Sequence, residues 1–303
     1  MHRAIVLLLL ALAPAAEAPS RASEDGARLA PTRLYPAPPT FQLLPLGVDH
    51  VRFYYVPGSL DRAANLRARL EIVDSTFENW ADQPVGLEVF VLNRRLWEEF
   101  GIEVEYGIPV RLGAKAIGAP ARGDPETVEL WSELLDGRLP TVAGRPILGT
   151  PQELASMVVS DVLAQVLAGE VLVDLLGLYG TEGWVRGVVA HLAALAVSRR
   201  KGMDRPEDLE VFYRQLLELR PPKSFSLRDY SRDLGLEDWM WFQAQFHFAA
   251  RTVFDKEGKK SIKKMRNFKK KGDGLIAADR LRRRYKQLDA WLGENFSVVS
   301  LQR

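Results

Sequence analysis

The sequence predicts an α+β fold in which a small N-terminal sheet with its helices packs on a mostly helical C-terminal portion. Three observations carry this. Apolar side chains alternate at Val51, Phe53 and Tyr55, the period of a half-buried strand. Val85 to Asn93 is rich in β-branched and aromatic residues, and nearly every segment from Gly149 to Phe296 has helical periodicity. With 47% hydrophobic and 26% charged residues in 303, the chain has an ordinary globular composition that excludes disordered, collagenous and low-complexity classes.

At the N-terminus, His2 and Arg3 precede an apolar run from Ala4 to about Ala13 and then the small-residue stretch Pro14-Ala15-Ala16-Glu17-Ala18. This is the layout of a secretory signal peptide, expected over residues 1–22 with cleavage after Ala15, Ala18 or Ala22. The mature chain is therefore expected to be exported, periplasmic or secreted. An uncleaved anchor is the weaker reading, because the run falls short of the ~20 residues that cross a bilayer. Residues 23–45, with Tyr35-Pro36-Ala37-Pro38-Pro39, have the composition of a linker.

An α+β subdomain is expected over 46–148. Its elements are a strand from His50 to Val56, a helix opening after Gly58-Ser59 and running through Leu66, Leu70, Val73 and Phe77, and a strand over Val85 to Asn93. A short helix over Arg95 to Phe100 and a further strand over Val128 to Trp131 complete it. A helical subdomain is expected over 149–303. Thr150-Pro151-Gln152-Glu153 combines an N-cap, proline at the first helical position and glutamate at N3, and Asp204-Arg205-Pro206-Glu207 and Ser226-Leu227-Arg228-Asp229 repeat that logic. Residues 157–179 are strongly apolar, but Asp161, Gln165, Glu170 and Asp174 interrupt them. Each carboxylate near a bilayer centre would cost about 2.5 to 3.5 kcal/mol, so a buried helix is the better reading. Ser160, Asp161, Ala164 and Gln165 share one face of it.

Thr150 to Leu167 (TPQELASMVVSDVLAQVL) and Trp184 to Leu195 (WVRGVVAHLAAL) together resemble the two-helix core of the gluzincin zinc peptidases, in particular bacterial peptidase MA-like domains. The segment from Phe246 to Phe296, with Phe254-Asp255-Lys256-Glu257-Gly258, Gly272-Asp273-Gly274 and Trp291-Leu292, is similar to that family's ending. The resemblance spans roughly residues 46 to 296 and implies a thermolysin-like fold. It also implies a helix carrying H-E-x-x-H and a glutamate ligand from the next helix. Such chemistry needs two imidazoles one turn apart, a general-base carboxylate and a third ligand. The aligned positions are Ser160, Asp161, Ala164 and Gly187, of which Asp161 alone keeps a carboxylate. No metal and no cofactor are expected there. The resemblance thus implies a catalytically inactive metallopeptidase-like protein, a pseudo-peptidase with a binding or scaffold role toward a peptide or protein. It further implies that the four positions meet in one cleft, lined by Gln165, Trp184 and His191, where restoring the lost residues would create zinc affinity. The competing reading is a hydrolase with a rebuilt site around Asp161, Gln165 and His191.

The chain has no cysteine, which removes disulfides, thiolate metal sites and cysteine nucleophiles. His191 with His247 or Asp161 is a weak candidate for a displaced metal site. Glu170 and Asp174, spaced i, i+4, suggest acid and base work less than pairing with Arg199 or Arg200. Ser198 to Lys201 matches S-x-x-K without its companion motifs. The net charge of +2 conceals strong polarisation. Between Asp255 and Lys286 there are fourteen Lys or Arg against four Asp or Glu, a balance of +10 that leaves −8 elsewhere. Lys259, Lys260, Lys263, Lys264, Lys269, Lys270 and Lys271 surround Ile262, Met265 and Phe268, a basic amphipathic pattern suited to an anionic envelope surface or to packing on the domain. Export argues against a nucleic-acid partner.

Overall fold

The computed structural model describes residues 35, 37–47, 50–122, 129, 133–137, 141–142, 145–146, 159–177, 182–198, 206–219, 226–230, 234–258, 260–265 and 274–296. The fold is α+β. A five-stranded mixed sheet comprises β1 (Leu44–Leu46), β2 (Arg52–Tyr55), β3 (Glu88–Leu92), β4 (Val110–Arg111) and β5 (Ala116–Pro120) in the order β1-β2-β3-β5-β4. The three inner strands β2, β3 and β5 run parallel, and β1 and β4 are antiparallel edges. Two residues each of β6 (Thr141–Val142) and β7 (Arg145–Pro146) form a separate hairpin.

Helix α1 (Leu60–Ala81) follows β2 and buries Leu66, Leu70, Val73 and Phe77. The short α2 (Arg94–Glu99) starts where the Asn93 side chain accepts the Leu96 amide at 3.0 Å. The Tyr106 hydroxyl ties two parallel strands at their carboxyl ends, donating to Leu92 O at 3.1 Å and accepting from the Ala121 amide at 3.1 Å. The rest is helical among the described residues: α3 (Val159–Leu175), α4 (Gly183–Ser198), α5 (Pro206–Leu219), α6 (Leu236–Glu257), α7 (Lys260–Met265), α8 (Gly274–Arg284) and α9 (Lys286–Asn295). One hydrophobic core runs from Phe53, Leu66 and Phe77 on the sheet side to Leu172, Val188, Phe246 and Leu288 among the helices. None of these helices is long and apolar enough to cross a membrane.

Several expectations change. The linker does not extend to residue 45, because Tyr35 and Leu43 are buried, and Leu44–Leu46 pairs with β2. Strand β5 reads AIGAP, a poor strand composition, yet every residue in it is buried between β3 and β4. Burial on both faces outweighs intrinsic preference there. Ser226 to Asp229 forms a single 3-10 turn, Leu227–Asp229, with the Ser226 amide donating to Asp229 Oδ2 at 2.6 Å, and the helix proper begins only at Leu236. The strand expected at Val128 to Trp131 lies outside the described residues except for Glu129, which is helical. The signal peptide and the helix start at Thr150 also lie outside them.

Helices α3 and α4 are packed backbone to backbone. A Cβ built on Gly169 would stand 2.6 Å from Ala190 O and 3.0 Å from Ala190 Cα, main-chain atoms that cannot swing aside. Gly169→Ala is therefore expected to destabilise the chain by about 1 to 3 kcal/mol, a loss of several degrees in Tm. Gly293 in α9 has nothing within 4 Å of its would-be Cβ. Gly293→Ala is expected to stabilise by about 0.5 to 1 kcal/mol through helix propensity. Thermal melts of the two variants check both signs.

Candidate functional site

The register of α3 against α4 decides whether the peptidase-like positions form a site. Gln165 Nε2 donates to Ala194 O at 2.7 Å and to Ser198 Oγ at 3.0 Å, while Gly169 abuts Ala190. As the number rises along α3 the facing number falls along α4, so the helices are antiparallel, with 165 opposite 194–198 and 169 opposite 190. Gly187 precedes Ala194 by seven residues and Asp161 precedes Gln165 by four, displacements in opposite directions. At ~1.5 Å per residue they put Asp161 and Gly187 about 16 Å apart along the helix axes. Zinc ligands sit ~2 Å from a shared ion.

The expected convergence of Ser160, Asp161, Ala164 and Gly187 is therefore not found. Ala164 is part of the main hydrophobic core. Gly187 faces α6, where a Cβ would lie 2.4 Å from Phe246 Cδ2. Ser160 is fully buried and its hydroxyl has no hydrogen-bond partner. The cleft expected from Gln165, Trp184 and His191 is not assembled either. All three are buried, but Gln165 belongs to the far end of α4, the Trp184 indole donates to the Glu182 carboxylate at the near end, and His191 turns to Gln243 on α6. The same separation leaves Asp161, Gln165 and His191 without a common substrate position, so the rebuilt hydrolase site does not form.

What Asp161 meets instead is arginine. Arg62 Nη2 lies 2.6 Å from Asp161 Oδ1 and its Nε donates to Pro120 O at 3.3 Å, which joins α3 to α1 and to the carboxyl end of β5. Arg69 stands two turns along α1, with Nε 3.9 Å from Asp161 Oδ2 and Nη1 donating to Gln165 Oε1 at 3.2 Å. Burial pushes the Asp161 carboxyl up and the Arg69 guanidinium down, each toward its neutral form, against their mutual attraction. The sequence signal was available: Arg62 and Arg69 sit on the same helical stripe as Leu66, Leu70 and Val73, where a cation is out of place unless partnered.

Glu170 and Asp174 also find partners other than those expected. Asp174 accepts from Arg111 at 2.9 Å and pairs with Arg186 at 2.9 Å, and Glu170 lies 3.9 Å from Arg111. Arg199 and Arg200 lie outside the described residues. In the basic segment Lys260 is exposed, whereas Lys264 is paired with Glu257, which also has Arg284 at 3.6 Å. Lys259, Lys269, Lys270, Lys271 and the side chain of Lys263 lie outside the described residues.

The polar cluster that sequence reasoning missed centres on His191. Gln243 Nε2 donates to Tyr230 Oη at 3.1 Å, and its Oε1 lies 2.9 Å from His191 Nε2, an arrangement that suits an imidazole protonated at Nε2. The rings of His191, His247 and Tyr213 touch mutually, with centroids 5.8, 6.2 and 5.1 Å apart. His247 Nε2 lies 3.6 Å from Glu210, which is also paired with Arg251. Burial, with the other imidazole second, pushes His191 down to about 3, and burial lowers His247 as well. Both rings are neutral acceptors or donors at pH 7, not acids. Among the described residues no three His, Asp or Glu side chains are placed to hold a metal ion.

Removing Asp161 would strand a buried guanidinium. Asp161→Leu is expected to cost about 3 to 5 kcal/mol, and Arg62→Met combined with Asp161→Leu less than the sum of the two single changes. Chemical denaturation of the four proteins reads this cycle. Gly187→Glu, which drives a side chain into the Phe246 ring, is expected to prevent folding at ordinary temperature, as judged by circular dichroism. Compared with known proteins, the chain matches no family model, no curated protein and no solved structure.

Proposed function

We propose that the chain is an exported, non-catalytic protein with a binding or scaffold role, related to the zinc peptidases in helix pattern and not in working chemistry. The observation that carries this reading is the Arg62–Asp161 contact at 2.6 Å. The one carboxylate retained from the resembled motif is buried and paired with a cation rather than open to a water it could deprotonate. The neighbouring positions support the same reading. Ala164 and Gly187 are spent on packing, and closely packed interiors leave no room for a substrate. The thermolysin-like form of the fold remains part of this proposal, supported by the order of a mixed sheet followed by an antiparallel helix pair.

Binding by this chain falls to its surface rather than to the space between α3 and α4. Its charge is polarised, with +10 over residues 255–286, which suits an acidic partner or an anionic surface. The test is direct. Protein purified without chelators is expected to carry far less than one zinc per chain by elemental analysis and to show no chelator-sensitive cleavage of a denatured casein substrate. Stoichiometric zinc removed together with such activity overturns the proposal.

A further inference from the structure

Helix α5 is attached to the molecule differently from its neighbours. Its buried residues Phe212, Tyr213 and Leu216 join a second hydrophobic cluster with Val162 and Leu163 of α3 and Met240, Ala244 and Phe248 of α6, and of its residues only the partly buried Leu217 is packed, among the described residues, against the core that unites sheet and helices. Its polar attachment is concentrated at one place. Tyr213 presents its ring to both imidazoles, and Glu210 reaches His247 and Arg251 on α6. His191 on α4, His247 on α6 and Tyr213 on α5 thus form the three-way junction of these helices, with no water-exposed edge on any of the three rings.

We propose that the His191–His247 pair is an acid-operated latch, which holds α5 against α4 and α6 while neutral and, on taking up protons, lets α5 part from them and uncovers the apolar surface beneath.

The charges around the pair explain why protons and closure compete. His191 is faced by His247 and the Gln243 carboxamide on α6 and by the Tyr213 ring on α5, and among the described residues by no carboxylate. His247 is faced by Glu210 and Arg214 from α5 and by Arg251 on its own helix, so its single anion is already shared with a guanidinium. At the other end of Gln243, Tyr230 is faced by Glu170 from α3 and Arg186 from α4, which act on it in opposite directions. Two imidazolium ions with ring centroids 5.8 Å apart in a closed interior would repel each other with little screening. In the closed state burial raises the Glu210 carboxyl, but His247 and Arg251 outweigh that and hold it below the ordinary carboxylate range, so it is ionised there. Tyr213 burial raises its hydroxyl and keeps it neutral throughout.

The sign follows from linkage. Once opened, each histidine binds a proton near its ordinary value of ~6.5, whereas in the closed state His191 binds one only near 3. Between those values the open state holds more protons, so closure is fully favoured above ~6.5 and weakens as pH falls. Each participating histidine makes opening about tenfold more frequent per pH unit below that point. Among the described residues the junction of α1 with the sheet holds no buried histidine, so α5 opens before the rest.

Hydrogen exchange of the whole chain, followed by mass spectrometry at pH 7, 6 and 5 and corrected for intrinsic chemistry, tests this. The expected result is that amides of 206–219 lose protection by tenfold or more between pH 6 and 5 while those of 62–77 and 186–196 do not. Binding of an apolar dye should rise over the same interval. The double variant His191→Gln, His247→Gln should remove the pH dependence of α5. Should that variant fail to fold, wild-type imidazole resonances give the answer, since His191 must remain neutral at pH 5 in the folded protein. Protection of α5 that is independent of pH, loss of protection in every helix with one common slope, or a His191 that titrates near 6.5 in the folded chain would each overturn the latch.

Discussion

The close approach of α3 and α4 fixes the positions of everything around them. Gly169 lets the backbone of Ala190 come within the space a side chain would occupy, and Gln165 then spans the gap to Ala194 and Ser198 by hydrogen bonds. Main-chain atoms rather than flexible side chains meet at this range, so the contact has little room to adjust. The register that results places the first turn of α3 beside α1 and Gly187 beside Phe246. A pattern along the chain that suggests a shared site is thereby pulled into two separate environments.

Charge then joins the layers that the hydrophobic core merely stacks. Arg62 on α1 reaches both Asp161 on α3 and the carbonyl at the end of β5, and Arg111 on β4 reaches Asp174 near the end of α3. Neither contact is strong evidence of stability, since desolvation of buried ions consumes most of their attraction. Their importance is directional. Burial makes an unpaired partner costly, so alternative placements of α3 against the sheet are penalised far more than the native one is favoured.

The histidine junction obeys the same rule with weaker groups. Two neutral imidazoles, a phenol and a carboxamide satisfy some of each other's needs inside a closed space, while His191 Nδ1 and Tyr213 Oη find no partner. Such a cluster is tolerated at neutral pH and becomes unfavourable when a proton arrives, in contrast to the arginine–carboxylate contacts, which need their charges.

The class of fold, the strands β2 and β3, and the helices α1, α2, α4 and α5 could be read from the chain, because alternation, helical periodicity and proline at a first turn are local properties. Strand β5 could not, since Ala-Ile-Gly-Ala-Pro becomes a strand only when β3 and β4 flank it. The candidate site was legible in its parts alone: the sequence reading identified Ser160, Asp161, Ala164, Gly187 and His191 as notable, and left Arg62, Arg69, Gln243 and Tyr213 unremarked. Spacing along one helix says which residues share a face. It says nothing about which residue of another helix lies opposite, because that depends on where two surfaces interlock, and here a hydrogen atom on Gly169 and the ring of Phe246 made that decision.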